Sequence, residues 1–186
     1  MTELEVLRTG YTATLRALEE LSPGDLARPT PCADWDVRAL LVHVHAATDG
    51  LVEVLHGREG DWARDSLGDD PAAALRRSFD DALTAWAEPG AVDVASRQMP
   101  GMRVVDFAMV DAVAHAWDLC VALGRRFEIP DDQAALVHQR WAGEPAATGR
   151  QYGVFGPLVE VPDGDPVFDR LLGEVGRDPA QSAATL

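Results

Sequence analysis

Residues 104–123, VVDFAMVDAVAHAWDLCVAL, constrain this 186-residue chain more than any other stretch. At 100° per residue, Val104, Phe107, Ala108, Ala114, His115, Asp118 and Ala122 share the face of Asp111. Val110, Val113, Trp117 and Val121 occupy another face, so no broad side is left for water. A helix that is apolar nearly all round is a buried helix. Asp111, His115 and Asp118 interrupt it, and a carboxylate buried without a partner costs several kcal/mol or is driven to its neutral form. The helix therefore sets two requirements: a bundle that surrounds it, and something that compensates its charge.

The rest of the chain supplies helices. Thr2 and Glu5 form a capping box ahead of a stripe of Leu4, Leu7, Tyr11, Leu18 and Leu21, which SPGD at 22–25 ends. Asp36 is the expected N-cap of a second helix, with Trp35 stapled onto Leu40 and a core stripe of Val37, Leu41, Val44, Leu51 and Leu55. Asp70 and Pro71 open a third, with Leu75, Phe79, Ala82 and Trp86 on one face. EPGAVDVASRQMPGM reads as an irregular connection with a short hairpin. Gly124 closes the fourth helix, and a fifth runs from about Asp131 to Trp141. TGRQYGVFGPLVEVPDGDP reads as an ordered Gly/Pro-rich loop that packs through Tyr152, Phe155 and Leu158. Asp165 and Pro166 open a last short helix carrying Phe168, Leu171, Leu172 and Val175. The tail from about 177 is expected to fray. With no repeat and no linker, residues 1–186 read as one domain: an all-α four-helix bundle with short additional C-terminal helices.

Composition narrows the function. The net charge of −15 repels phosphate backbones, which argues against nucleic-acid binding. All 16 basic residues are arginines, so lysine chemistry is excluded; this usage is associated with GC-rich genomes. No apolar run reaches membrane-spanning length and MTELEVLRTG lacks a signal-peptide layout, so the expected compartment is the cytoplasm. Cys32 and Cys120 match no zinc or redox spacing and read as inert.

Asp111 and His115 stand at i and i+4, with Cβ atoms roughly 5–6 Å apart. With no lysine in the chain and no arginine in the helix after Arg103, a divalent metal is a candidate compensator, held by Asp111, His115 and a third ligand from a neighbouring helix. The second helix offers His43 and His45, about 100° to either side of Val44. Periodicity does not choose between them. His43, beside Leu40, Ala47 and Val54, reads as the more interior; His45 shares its side with Arg38 and Asp49. The plain alternative is a hydrogen-bonded or solvated His–Asp pair. Asp118 is expected to orient a ligand histidine from behind, or to pair with an arginine such as Arg38. His56 and His138 read as surface or partly buried.

Three segments carry a family resemblance: TPCADWDVRALLVHVHAATDG, DAVAHAWDLCVALG and FGPLVEVPDGDPVFDRLLGEVGRDP. Together they resemble the metal-binding domain of mycothiol-dependent maleylpyruvate isomerases, within the DinB-like superfamily, over about Thr30 to Pro179. The resemblance implies a four-helix bundle with a divalent metal, commonly zinc, near one end. It also implies the ligands: a His eight residues after the Trp of the first motif, and a carboxylate and His spaced by four. Those positions are His43, Asp111 and His115. The isomerases are similar but use glutamate where this chain has Asp111. They also carry a separate C-terminal domain that this chain is expected to be too short to hold, which sets maleylpyruvate isomerisation itself aside.

The expectation is a mycothiol-dependent metalloenzyme, of S-transferase or isomerase type, acting on a small electrophile. Zn2+ is the first choice of metal, with Ni2+ or Fe2+ as alternatives, mycothiol is the implied cosubstrate, and the implied source is actinobacterial. Asp118 is the one candidate base, and Arg103 or Arg150 a candidate anchor for an anionic substrate. Two other readings stand beside it. One is a metal- or ligand-binding bundle without turnover, homodimeric and serving a stress or regulatory role. The other is a ferrous facial triad.

Overall fold

The computed structural model describes residues 2–19, 21–32, 35–63, 66–68 and 70–183. Its long helices are α1 (Glu3–Leu18), α2 (Val37–Leu55), α3 (Pro71–Trp86) and α4 (Val104–Ala122). Four shorter ones follow: α5 (Asp131–Trp141), α6 (Glu144–Gln151), α7 (Val167–Glu174) and α8 (Ala180–Ala183). The described residues contain no strand, only isolated antiparallel bridges at Pro29–Asp36 and Ala95–Arg103. The second of these is the short hairpin expected before α4. No helix among the described residues is long and apolar enough to cross a membrane.

α4 contacts α1 and α2, and α3 contacts the same two, so the four long helices form a ring in the order α1, α4, α2, α3. Within α4 only Phe107, Asp111 and Val121 escape full burial. The α1–α4 approach is close because Gly10 faces Ala112: a Cβ at Gly10 would lie 2.5 Å from the Ala112 carbonyl oxygen. Leu7, Leu40, Leu41, Leu75, Phe79, Trp86, Met109 and Leu119 are fully buried. Removing each such side chain from water contributes about 1.5–3 kcal/mol. Tyr11 of α1 stacks on Phe79 of α3 with ring centroids 4.1 Å apart.

The caps read from sequence do their work. The Glu5 carboxylate accepts from the Thr2 amide at 2.6 Å, Asp36 accepts from the Ala39 amide at 2.8 Å, and Asp70 from the Ala73 amide at 2.9 Å. Each satisfies an amide that the first helical turn leaves without a partner.

Two expectations fail in the C-terminal third. The segment read as a loop from Thr148 begins inside α6, whose Gly149 lies against the ring of Phe155. Phe155 also packs edge-on to Trp141, whereas Tyr152 is 77% exposed and Leu158 is 45% exposed, so one of the three expected anchors is in place. Residues 177–182, expected to fray, are packed against the body. Arg177 is buried, and the Ser182 hydroxyl accepts from the Trp117 indole at 2.8 Å.

Candidate metal centre

α2 and α4 run side by side and present His43, Asp111 and His115 to one another. His43 Nε2 lies 3.1 Å from Asp111 Oδ1, and His115 Nε2 lies 3.4 Å from the same oxygen. The rings of His43 and His115 meet edge to face at 4.8 Å. Trp35, just ahead of α2, lies against both, 4.6 Å from His43 and 5.8 Å from His115. One donor atom from each of His43, Asp111 and His115 falls in a cluster no more than 4.8 Å across. The cluster is partly open: the side chains are 35%, 20% and 9% exposed, in that order.

Behind His115 the site closes. His115 Nδ1 lies 2.9 Å from Asp118 Oδ2, and Asp118 is fully buried. Arg177, arriving from beyond α7, donates to Asp118 from Nη2 at 2.9 Å and from Nε at 3.4 Å. A third donation, from Nη1 to the Val175 carbonyl at 2.8 Å, fixes the guanidinium. With Nδ1–H donating to Asp118, a neutral His115 presents the lone pair of Nε2 toward Asp111 and His43.

The titration of these groups follows from the pairing. Burial pulls His43 down, but the hydrogen bond and charge of Asp111 outweigh it and hold the imidazole above its usual 6.5. Burial pushes Asp111 up, and the neighbouring His115 and His43 more than reverse that, leaving it below 3.8. Asp118 is likewise depressed: burial is overcome by its bonds to His115 and Arg177. Burial lifts the Cys32 thiol to about 11 despite the nearby Arg177 charge, in keeping with an inert thiol.

Sequence reasoning and structure part company at three points. His45, read as the more outward histidine of α2, is the buried one; it lies 3.6 Å from Asp49, which accepts from Ser78 of α3. α2 is flanked by α3 as well as α4, so both sides of Val44 meet a helix. Asp118 pairs with Arg177 and not with Arg38. Arg103 and Arg150 are engaged elsewhere, Arg103 with Asp106 and Glu3 and Arg150 with Glu174. Arg177 is the residue of this cluster that the sequence did not disclose. It stands 59 positions after Asp118, in a segment with no helical periodicity. Its one available signal was arithmetic: a buried aspartate in α4 needs a cation from outside that helix.

Comparison with known proteins gives the chain a family. Residues 7–120 match the family described as the mycothiol maleylpyruvate isomerase N-terminal domain. Uncharacterized proteins of two Mycobacterium tuberculosis strains are each 25% identical over 173 residues, covering 86% of this chain and 89% of theirs. The crystal structure of the mycothiol-dependent maleylpyruvate isomerase aligns with a TM-score of 0.47 and 18% identity, over 63% of this chain and 59% of that one. Because the family match spans more than half of its residues, the chain belongs to the mycothiol maleylpyruvate isomerase N-terminal domain family.

Proposed function

We propose that His43, Asp111 and His115 hold a divalent cation, zinc before nickel or iron, and that the protein is a mycothiol-dependent enzyme of S-transferase or isomerase type acting on a small electrophile. The observation that carries this reading is the convergence of two imidazole Nε2 atoms on one carboxylate oxygen, at 3.1 and 3.4 Å. Ligand atoms around a tetrahedral zinc at about 2.0–2.1 Å stand about 3.3 Å apart, which the two N···O separations here already match. The set has three protein ligands, the number that leaves a position open. When bound, the cation acidifies a thiol at that position and stabilises the thiolate.

The chain's own residues set the terms of that chemistry. His43 releases its proton as a condition of binding, since a protonated imidazole has no lone pair to give. Asp111 brings the one negative charge of the set, so a loaded centre keeps net positive charge for an anionic sulfur. Asp118 holds the His115 ring from behind, and its own bonds to Arg177 disqualify it as a mobile base. Trp35 walls one side of both imidazoles and limits the direction from which a substrate enters.

Elemental analysis of the purified chain, followed by mycothiol-conjugation assays across an electrophile panel, tests the proposal. One equivalent of metal is expected, with conjugation lost in His43→Ala and His115→Ala. Metal at full occupancy with no turnover across the panel would instead identify a binding module. A chain that takes up no divalent cation would end the reading altogether.

A further inference from the structure

His115 has a second side. Its Nδ1 lies 2.9 Å from Asp118 Oδ2, and one ring nitrogen of His115, one carboxylate oxygen of Asp118 and Cys32 Sγ form another cluster whose atoms lie within 4.8 Å of one another. Imidazole, carboxylate and thiolate make a chemically sound zinc set. One histidine therefore stands between two positions that each suit a cation, and ligand chemistry alone does not choose between them.

Arg177 does. Its side chain is 7% exposed, and its guanidinium lies 2.9 Å from Asp118 Oδ2 and 3.4 Å from Cys32 Sγ through the same Nη2. It touches two of the three inner donors and is charged at any pH the fold survives. We propose that Arg177 is the resident cation of the inner set: it keeps metal out of the Cys32–His115–Asp118 position and fixes His115 with Nε2 toward His43 and Asp111. Arg177 is then a positioning residue that acts through Asp118. The inference rests on the metal-centre reading above and adds what confines the metal to one side of His115.

The arrangement has a chemical consequence. A metal on the inner side would take the Cys32 thiolate as a ligand, adding negative charge and occupying a coordination position with sulfur. Either would compete with an external thiol. With Arg177 in place, the chain's own sulfur stays outside the coordination sphere and the outer set keeps two nitrogens and one oxygen.

Cobalt(II) titration of the full chain reads this directly, because a thiolate ligand gives an intense near-ultraviolet charge-transfer band that nitrogen and oxygen ligands lack. The wild-type chain is expected to bind one cobalt without that band. Arg177→Met is expected to gain the band with cobalt still at one equivalent, because the single lone pair of a neutral His115 serves one side at a time, and the added Cys32→Ser change is expected to remove the band. Arg177→Lys, which keeps the charge, is expected to stay at one cobalt without the band. Cys32→Ser alone is expected to leave zinc Kd unchanged within about threefold, and this arm needs no variant at position 177 to fold. An Arg177→Met chain with one cobalt and no band, a thiolate band in the wild type or in Arg177→Lys, or a tenfold loss of zinc affinity in Cys32→Ser would each overturn the inference alone. A wild-type chain that binds no cobalt or zinc removes the metal-centre reading and this inference with it.

Discussion

α4 carries three aspartates in one buried helix, and they are neutralised in two different ways. Asp106 and Asp118 are fully buried, and each is held by arginine: Asp106 by Arg103 at 2.7 Å, Asp118 by Arg177 at 2.9 Å. Asp111, five residues beyond Asp106, is 20% exposed and, among the described residues, is in contact with the imidazoles of His43 and His115 and with no arginine. An arginine does not give up its proton in a folded protein, so its partner is locked. An imidazole does, and can exchange that proton for a metal. Burial depth and partner type thus separate two structural carboxylates from one exchangeable one on the same rod. The sequence reading makes a dication the candidate compensator at Asp111 and an arginine one option for Asp118; the same charge argument extends to Asp106, where Arg103 answers it.

The largest effect should come from breaking the exchangeable site. Asp111→Asn keeps the shape of the side chain and removes its charge. In the wild-type chain, zinc at a hundred times its Kd raises unfolding free energy by about 2.7 kcal/mol. In Asp111→Asn, as in His115→Ala, that increment is expected to vanish, while the metal-free fold is retained. Thermal unfolding with and without zinc checks this; a zinc shift of wild-type size in Asp111→Asn would place the ion elsewhere.

The converse substitution sharpens the contrast. Asp106→Asn leaves Arg103 with one charged partner, Glu3, and removes the carboxylate that accepts from the Arg103 amide at 2.8 Å. Taking one member from a buried pair costs roughly 3–5 kcal/mol, and the partial exposure of Arg103 lowers the expectation to about 2–3 kcal/mol. For a chain of this size that is a drop in Tm of roughly 5–10 °C. Zinc should still bind with unchanged stoichiometry. If Asp106→Asn and Asp111→Asn behaved alike, the division into locked and exchangeable carboxylates would be wrong.

How much of this was legible beforehand depended on whether the deciding interaction was local. Caps at Thr2, Asp36 and Asp70 bind amides three residues on, and they were readable at once. The bounds of α5 and the burial of α4 followed from periodicity. α6 was missed because EPAATGRQ contains Gly149 and Thr148 and little amphipathic signal; it forms where Phe155 packs onto it. Arg177 was missed because its partner lies 59 residues away. His43, Asp111 and His115 do lie together; the resemblance selects His43 by its spacing from Trp35, whereas the separate reading of His43 as the more interior histidine fails. It is His45 that is buried, and His43 that stands at the opening.

Protonation offers a gentler probe. In the metal-free chain His43 sits above 6.5, so its contribution to stability is complete below about 6.5 and is lost as pH rises through the folded value. Asp111 and Asp118 sit below 3.8, so theirs is present above about 3.8 and is lost as pH falls through their folded values. Metal-free stability should therefore peak between about pH 4 and 6.5. Zinc competes with one proton on His43, so its apparent Kd should fall about tenfold per pH unit until His43 is neutral and then level off. A pH-independent Kd across that range would remove His43 from the ligand set.

The smallest effect belongs to the other histidine of α2. His45 and His43 are two residues apart, and each has an aspartate within 3.6 Å. His45 pairs with Asp49 on its own helix, and Asp49 is further bound by Ser78 of α3, so the contact ties α2 to α3 and offers no second imidazole. A His–Asp pair beside a serine does not make a zinc set. Ser78→Ala should cost about 1 kcal/mol, the usual worth of such a hydrogen bond, and His45→Gln a similar amount. Both variants should bind zinc with a Kd within about twofold of the wild type. A large loss of affinity in either would mean that the α2–α3 contact sets the rotation of α2, and that His43 meets Asp111 only because His45 is held on the other side.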